Sequence, residues 1–138
     1  MTYSAHISHD AVLRARVALL TSGKPQLGER VAAYRVLARV SPLAYLPLLA
    51  VALGKYAARE FASEPAIVAA LLAESVAAAR EAYAREPARA ELLAHCLAVY
   101  RLQMERMDRA AEARAAQEEI ALLLAEEGSA ARGRPGAR

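Results

Sequence analysis

The one pairing in the chain with the makings of a nucleophile and its base is His95-Cys96, a thiol beside an imidazole able to take its proton. On a helix, adjacent side chains diverge by about 100° and do not face each other. Cys96 shares the apolar stripe of Leu93 and Tyr100, which predicts a buried structural thiol. His6 and His9, with Asp10 following, have the spacing of two metal ligands on one helix face, but no further histidine stands near enough to close a site. The paired acids Glu118-Glu119 and Glu126-Glu127 read as solvation of a surface helix, and Met104 and Met107 as core filling or a soft interface. The sequence contains no glycine-rich phosphate loop, no serine-centred elbow and no HExxH. A non-enzymatic protein without metal or cofactor is therefore expected.

The 138 residues amount to one domain, and 57% hydrophobic against 24% charged residues supply a packed core. Abundant alanine, few glycines and prolines and only 5% aromatic residues favour an all-α fold. A single cysteine excludes an intramolecular disulfide and a cysteine-based zinc site. The net charge of +3 suggests an anionic partner. Its whole excess, however, sits in Arg132, Arg134 and Arg138 of an acid-free segment, 128–138, expected to be a disordered tail behind a single domain over 1–127. Arg30, Arg35 and Arg39 share one side of a helix and would form a phosphate-binding stripe, yet no recognition helix accompanies them. Nucleic acid is not the expected partner. The longest uncharged stretch, Val40 to Gly54, carries Pro42 and Pro47 and falls short of the roughly 20 apolar residues of a membrane span. The polar start, Met1 to Asp10, does not read as a secretory signal, so a cytoplasmic location is expected.

Helical periodicity and breakers predict six helices. Ser8 caps the first, with Val12, Leu13, Val17 and Leu20 as its apolar face and Ser22, Gly23 and Pro25 as its end. The second runs over about 27–40 to Ser41-Pro42, and the third over about 46–62 with Pro47 in its first turn. Ser63-Glu64-Pro65 starts the fourth, with Ser63 as cap, which lasts to about Arg85. The fifth, about 88–106, has the clearest stripe, Leu93, Leu97, Tyr100, Met104 and Met107, and Asp108 caps the sixth. Glu81 with Arg85 and Arg114 with Glu118 are spaced for contacts one turn apart.

A shift of about 44 residues aligns Leu48–Tyr56 (LLAVALGKY) with Leu92–Tyr100 (LLAHCLAVY), and one of about 45 aligns Arg30–Pro42 with Ser75–Pro87. The periodic unit is a helical hairpin. Leu53-Gly54 with Tyr56-Ala57, preceded by Ala44-Tyr45-Leu46-Pro47, resembles the tetratricopeptide repeat (TPR), in the degenerate, lengthened form seen in actinobacterial proteins. Leu97-Ala98 replaces the Leu-Gly pair in the second unit, a small residue where two helices must approach; the family's turn glycine is missing after both first helices, and the period exceeds the usual 34 or so.

The resemblance implies a TPR-like α-solenoid of about six antiparallel helices, two to three hairpins, with a concave groove for a peptide or protein. Carried over position by position, the groove is lined by Leu48, Val51, Lys55, Ala58 and Arg59 from the first hairpin and by Leu92, His95, Val99, Leu102 and Gln103 from the second. Family members that clamp a C-terminal carboxylate use lysine and asparagine, and this chain has no asparagine. The expected function is that of an adaptor, and the ends of so short a stack would recruit a partner or a second copy. A competing expectation is a helical bundle that shelters a small molecule among Tyr34, Tyr56, Tyr83 and Tyr100, as an accessory protein or enzyme of biosynthesis.

Overall fold

The computed structural model describes residues 8–20 and 26–132. His6, the Ser22-Gly23-Pro25 break and residues 133–138 of the expected tail lie outside the described residues. Among those described, all regular structure is helical: α1 (His9–Leu20), α2 (Leu27–Val40), α3 (Pro42–Glu60), α4 (Pro65–Arg85), a single 3₁₀ turn at Pro87–Arg89, α5 (Ala90–Arg106) and α6 (Ala110–Arg132). The last helix thus continues past Glu127 into the segment expected to be tail.

The helix ends follow local chemistry. Ser8 Oγ accepts the Ala11 amide at 3.1 Å, the expected cap. α3 begins at Pro42, a turn earlier than expected, because Pro42 itself takes the first helical position and the buried Pro47 is tolerated inside the helix. Glu64, not Ser63, stands at the N-cap of α4, with Pro65 following. Asp108 does not cap α6 either. It adopts a left-handed φ of 56° just past α5. Its amide donates to Glu105 O at 3.1 Å and the Arg109 amide to Met104 O at 2.8 Å, the two bonds of a Schellman turn with aspartate where glycine is usual.

Each helix packs against its neighbours in sequence, and α3 also meets α5. The main core joins Val31, Leu53, Val76, Leu97 and Leu123 from five helices, each large side chain contributing roughly 1.5–3 kcal/mol. The predicted α5 stripe is correct, with Leu93, Leu97 and Met104 buried. α1 turns differently from the expectation: Val12, Ala15 and Leu19 face α2, while Leu13 and Val17 are both 54% exposed and Leu20 83%. Small Ala15 meeting Ala33 lets the two backbones approach, and a stripe of large residues on the other side of α1 cannot do so.

The repeat reappears in space. Arg35 on α2 forms a bidentate pair with Glu74 on α4, and Arg80 on α4 forms the same pair with Glu119 on α6, each spanning 39 residues. One member of the Glu118-Glu119 pair is therefore structural, and Arg35 is withdrawn from the proposed phosphate stripe. Glu81 and Arg85 pair at 3.8 Å, whereas Arg114 and Glu118 form no ion pair among the described residues. In register with the buried Ala69, Leu72 and Ala82 of α4, α6 carries exposed Arg114, Gln117 and Glu127, although Leu122 and Leu124 are also exposed on this last helix.

Candidate functional site

α3 and α5 run along a trough whose floor comes from α4. Val51 and Lys55 on α3 and His95 and Val99 on α5 line a cavity of 310 Å3, with the buried Leu72 and Ser75 of α4 beneath. A second cavity of 260 Å3 shares Gly54, Ala58, Leu72 and Val99 with the first and adds Leu102, Gln103 and Arg106. The shared lining makes the two one continuous trough. It is apolar along its length, with Lys55 and Arg106 as cations and no carboxylate among the lining residues.

Seven of the ten expected groove residues, Val51, Lys55, Ala58, His95, Val99, Leu102 and Gln103, thus come together. Leu48, Arg59 and Leu92 line neither cavity; Leu92 packs against the main core instead. Gln103 is buried, and its Nε2 donates to Pro65 O at 3.4 Å, so the side chain is tied to the start of α4. Comparison with protein-family models, curated proteins and solved structures returns no match. Geometry and chemistry alone therefore describe the trough.

Gly54 occupies the middle of α3 and lines both cavities. A Cβ placed there meets nothing within 4 Å. The space over Gly54 is open trough and not a close helix contact. A helix-interior glycine forgoes about 1 kcal/mol relative to alanine, and no packing contact at this position accounts for it.

Cys96 and His95 line the same cavity, but the thiol is not activated. Burial pushes the Cys96 pKa up, opposed in part by its contact with Ser75. Ser75 Oγ donates to the Ala50 carbonyl at 2.7 Å and lies 3.5 Å from Cys96 Sγ. The hydroxyl has one proton, and its short bond to the Ala50 carbonyl leaves little donation for the longer contact with the sulfur. A thiol held neutral in an apolar wall is inert. Among the described residues no cluster of three metal-ligating side chains forms.

The residues that the sequence left out are those of the floor, Leu72 and Ser75, together with Gly54 and Arg106. Arg106 was legible as the next turn after Leu102 on α5. The floor was not, because periodicity marks Leu72 and Ser75 as inward-facing without saying which helices leave a gap above them. Tyr34, Tyr56, Tyr83 and Tyr100 line neither cavity. Tyr34 packs on Tyr45 with ring centroids 6.1 Å apart, and Tyr56 meets Phe61 edge-on at 5.0 Å. No helix among the described residues is long and apolar enough to cross a membrane.

Proposed function

We propose that the protein is a non-enzymatic interaction module of TPR-like form, a short solenoid of two to three hairpins that takes a partner peptide or protein segment into the trough between α3 and α5. The observation that carries this reading is Gly54, a glycine in the middle of α3 whose missing side chain leaves the trough open. Apolar walls at Val51, Val99 and Leu102 suit apolar side chains of the partner, and Lys55 and Arg106, without a lining carboxylate, favour acidic groups beside them.

The test is selection of peptides from a random displayed library on the purified chain, followed by anisotropy titration of the selected peptides. Lys55→Glu and Leu102→Glu, both at exposed positions, should weaken binding tenfold or more at unchanged melting temperature. Selected peptides that bind both variants as tightly as the parent would refute the trough as the binding surface.

A further inference from the structure

A register of 45 residues places Arg35 over Arg80, Pro42 over Pro87, Glu74 over Glu119 and Glu81 over Glu126. The side chains keep this correspondence in space, since both Arg–Glu pairs form the same bidentate bridge. Among the positions where the two units differ, one bears on a further contact. Tyr83 on α4 falls in register with Ala38 on α2.

Tyr83 packs half-buried against the main core, and its hydroxyl donates to Glu126 of α6 at 2.9 Å. The phenol pKa is raised, chiefly by that hydrogen bond to a carboxylate, so the proton stays where the bond needs it. At the register-equivalent place in the first unit Ala38 offers only a methyl group, and a cleft of 400 Å3 opens between α2, the start of α3 and α4. Ala38, Leu46 and Leu49 give it an apolar wall. Glu81, the counterpart of the acceptor Glu126, also lines it, and so do Arg39 and Arg85.

We infer that this cleft is a binding site for a tyrosine side chain of another polypeptide, seated as Tyr83 is seated in the second unit, with its hydroxyl donating to Glu81. The volume suffices, since a cavity of about 150 Å3 already takes benzene. An aliphatic side chain would fill the apolar wall but add no donor to Glu81, whose carboxylate meets only Arg85, at 3.8 Å, among the ion pairs of the described residues. A phenol meets both demands, and the guanidinium groups of Arg39 and Arg85 favour an aromatic face beside them. The cleft opens to solvent, which leaves the backbone that carries the ring outside. It shares no lining residue with the trough of α3 and α5, so the two sites stand or fall separately.

Titration of the 15N-labelled chain with acetyl-Gly-Tyr-Gly-amide tests the site, with the phenylalanine analogue and 4-ethylphenol as parallel arms. The tyrosine peptide should shift the amide signals of Ala38, Leu49 and Glu81 with a millimolar Kd, and the phenylalanine analogue should bind at least fivefold more weakly. Ala38→Tyr, which supplies the ring from within, should abolish the shifts; Glu81→Ala, at an exposed position, should weaken them fivefold and serves should the first variant not fold. No shifts at the cleft, equal binding of the phenylalanine analogue, or shifts that persist in the variants would overturn the inference. Binding of 4-ethylphenol without the peptide would equally reject a polypeptide tyrosine as the occupant.

Discussion

Arg35 and Glu74 meet as a two-pronged pair, Nε at 2.8 Å and Nη2 at 2.6 Å from the two carboxylate oxygens, and 45 residues further on Arg80 and Glu119 repeat it at 2.9 and 2.6 Å. The same two residue types at the same separation, 39 residues, join α2 to α4 and α4 to α6. Each pair links two helices that are not consecutive in the chain.

Both partners of the first pair are substantially exposed, 46% and 36%, so its worth is that of a well-aligned surface bridge. A double-mutant cycle with Arg35→Ala and Glu74→Ala, read by urea unfolding, should give a coupling of about 0.5–1 kcal/mol that shrinks in about 1 M salt. A coupling indistinguishable from zero would show that the geometry contributes no net stability.

Asp108 holds the left-handed turn that ends α5 at φ 56°. Glycine reaches that conformation without the penalty an L side chain carries, so Asp108→Gly should raise stability by about 0.5–1 kcal/mol, seen as a higher urea midpoint with unchanged slope. A lower midpoint would mean that the carboxylate makes a contact worth more than the backbone strain.

Gly54→Ala separates folding from binding. With nothing within 4 Å of the added methyl, helix propensity should raise stability by about 0.8–1 kcal/mol. The same methyl intrudes where the two trough cavities join, so selected trough-binding peptides should lose affinity. A variant that is more stable and binds just as well would leave the glycine without a role in recognition.

Cys96 gives a pH dependence with a definite sign. Its folded pKa is raised above that of an ordinary thiol by burial, so in the alkaline range the unfolded chain releases a proton that the folded chain keeps. The stability due to the protonated thiol is complete below the unfolded pKa and falls as pH rises through the folded one. Chemical unfolding at pH 7 and at pH 10 should therefore show a larger loss for the parent than for Cys96→Ala, and alkylation of the native thiol at pH 8 should be far slower than in urea. Equal losses in parent and variant would place Cys96 outside the linkage.

Ser75→Ala removes a buried hydroxyl from the trough floor while the Ala50 carbonyl keeps its place in α3. Loss of one internal hydrogen bond without a stranded partner should cost about 0.5–1.5 kcal/mol in thermal or urea unfolding. A cost above about 3 kcal/mol would mean that the hydroxyl organises more than this single bond.

The amino-acid sequence by itself determined the six helices, the breaks between most of them, and the stripe of α5 that builds the core. Proline and glycine act on their own backbone, and an apolar stripe declares its inward face through spacing alone. Alignment of Tyr56 with Tyr100 and of Pro42 with Pro87 also exposed the internal register. Only tertiary structure decided which side of α1 faces α2, that Glu119 is held by Arg80 and Glu126 by Tyr83, that Gly54 opens a trough, and that α4 supplies its floor. Those outcomes depend on which partners lie across gaps of about 40 residues and on how closely alanine lets two helices approach. Periodicity along a single helix carries neither quantity, because it fixes a direction about the helix axis but not the neighbour found there.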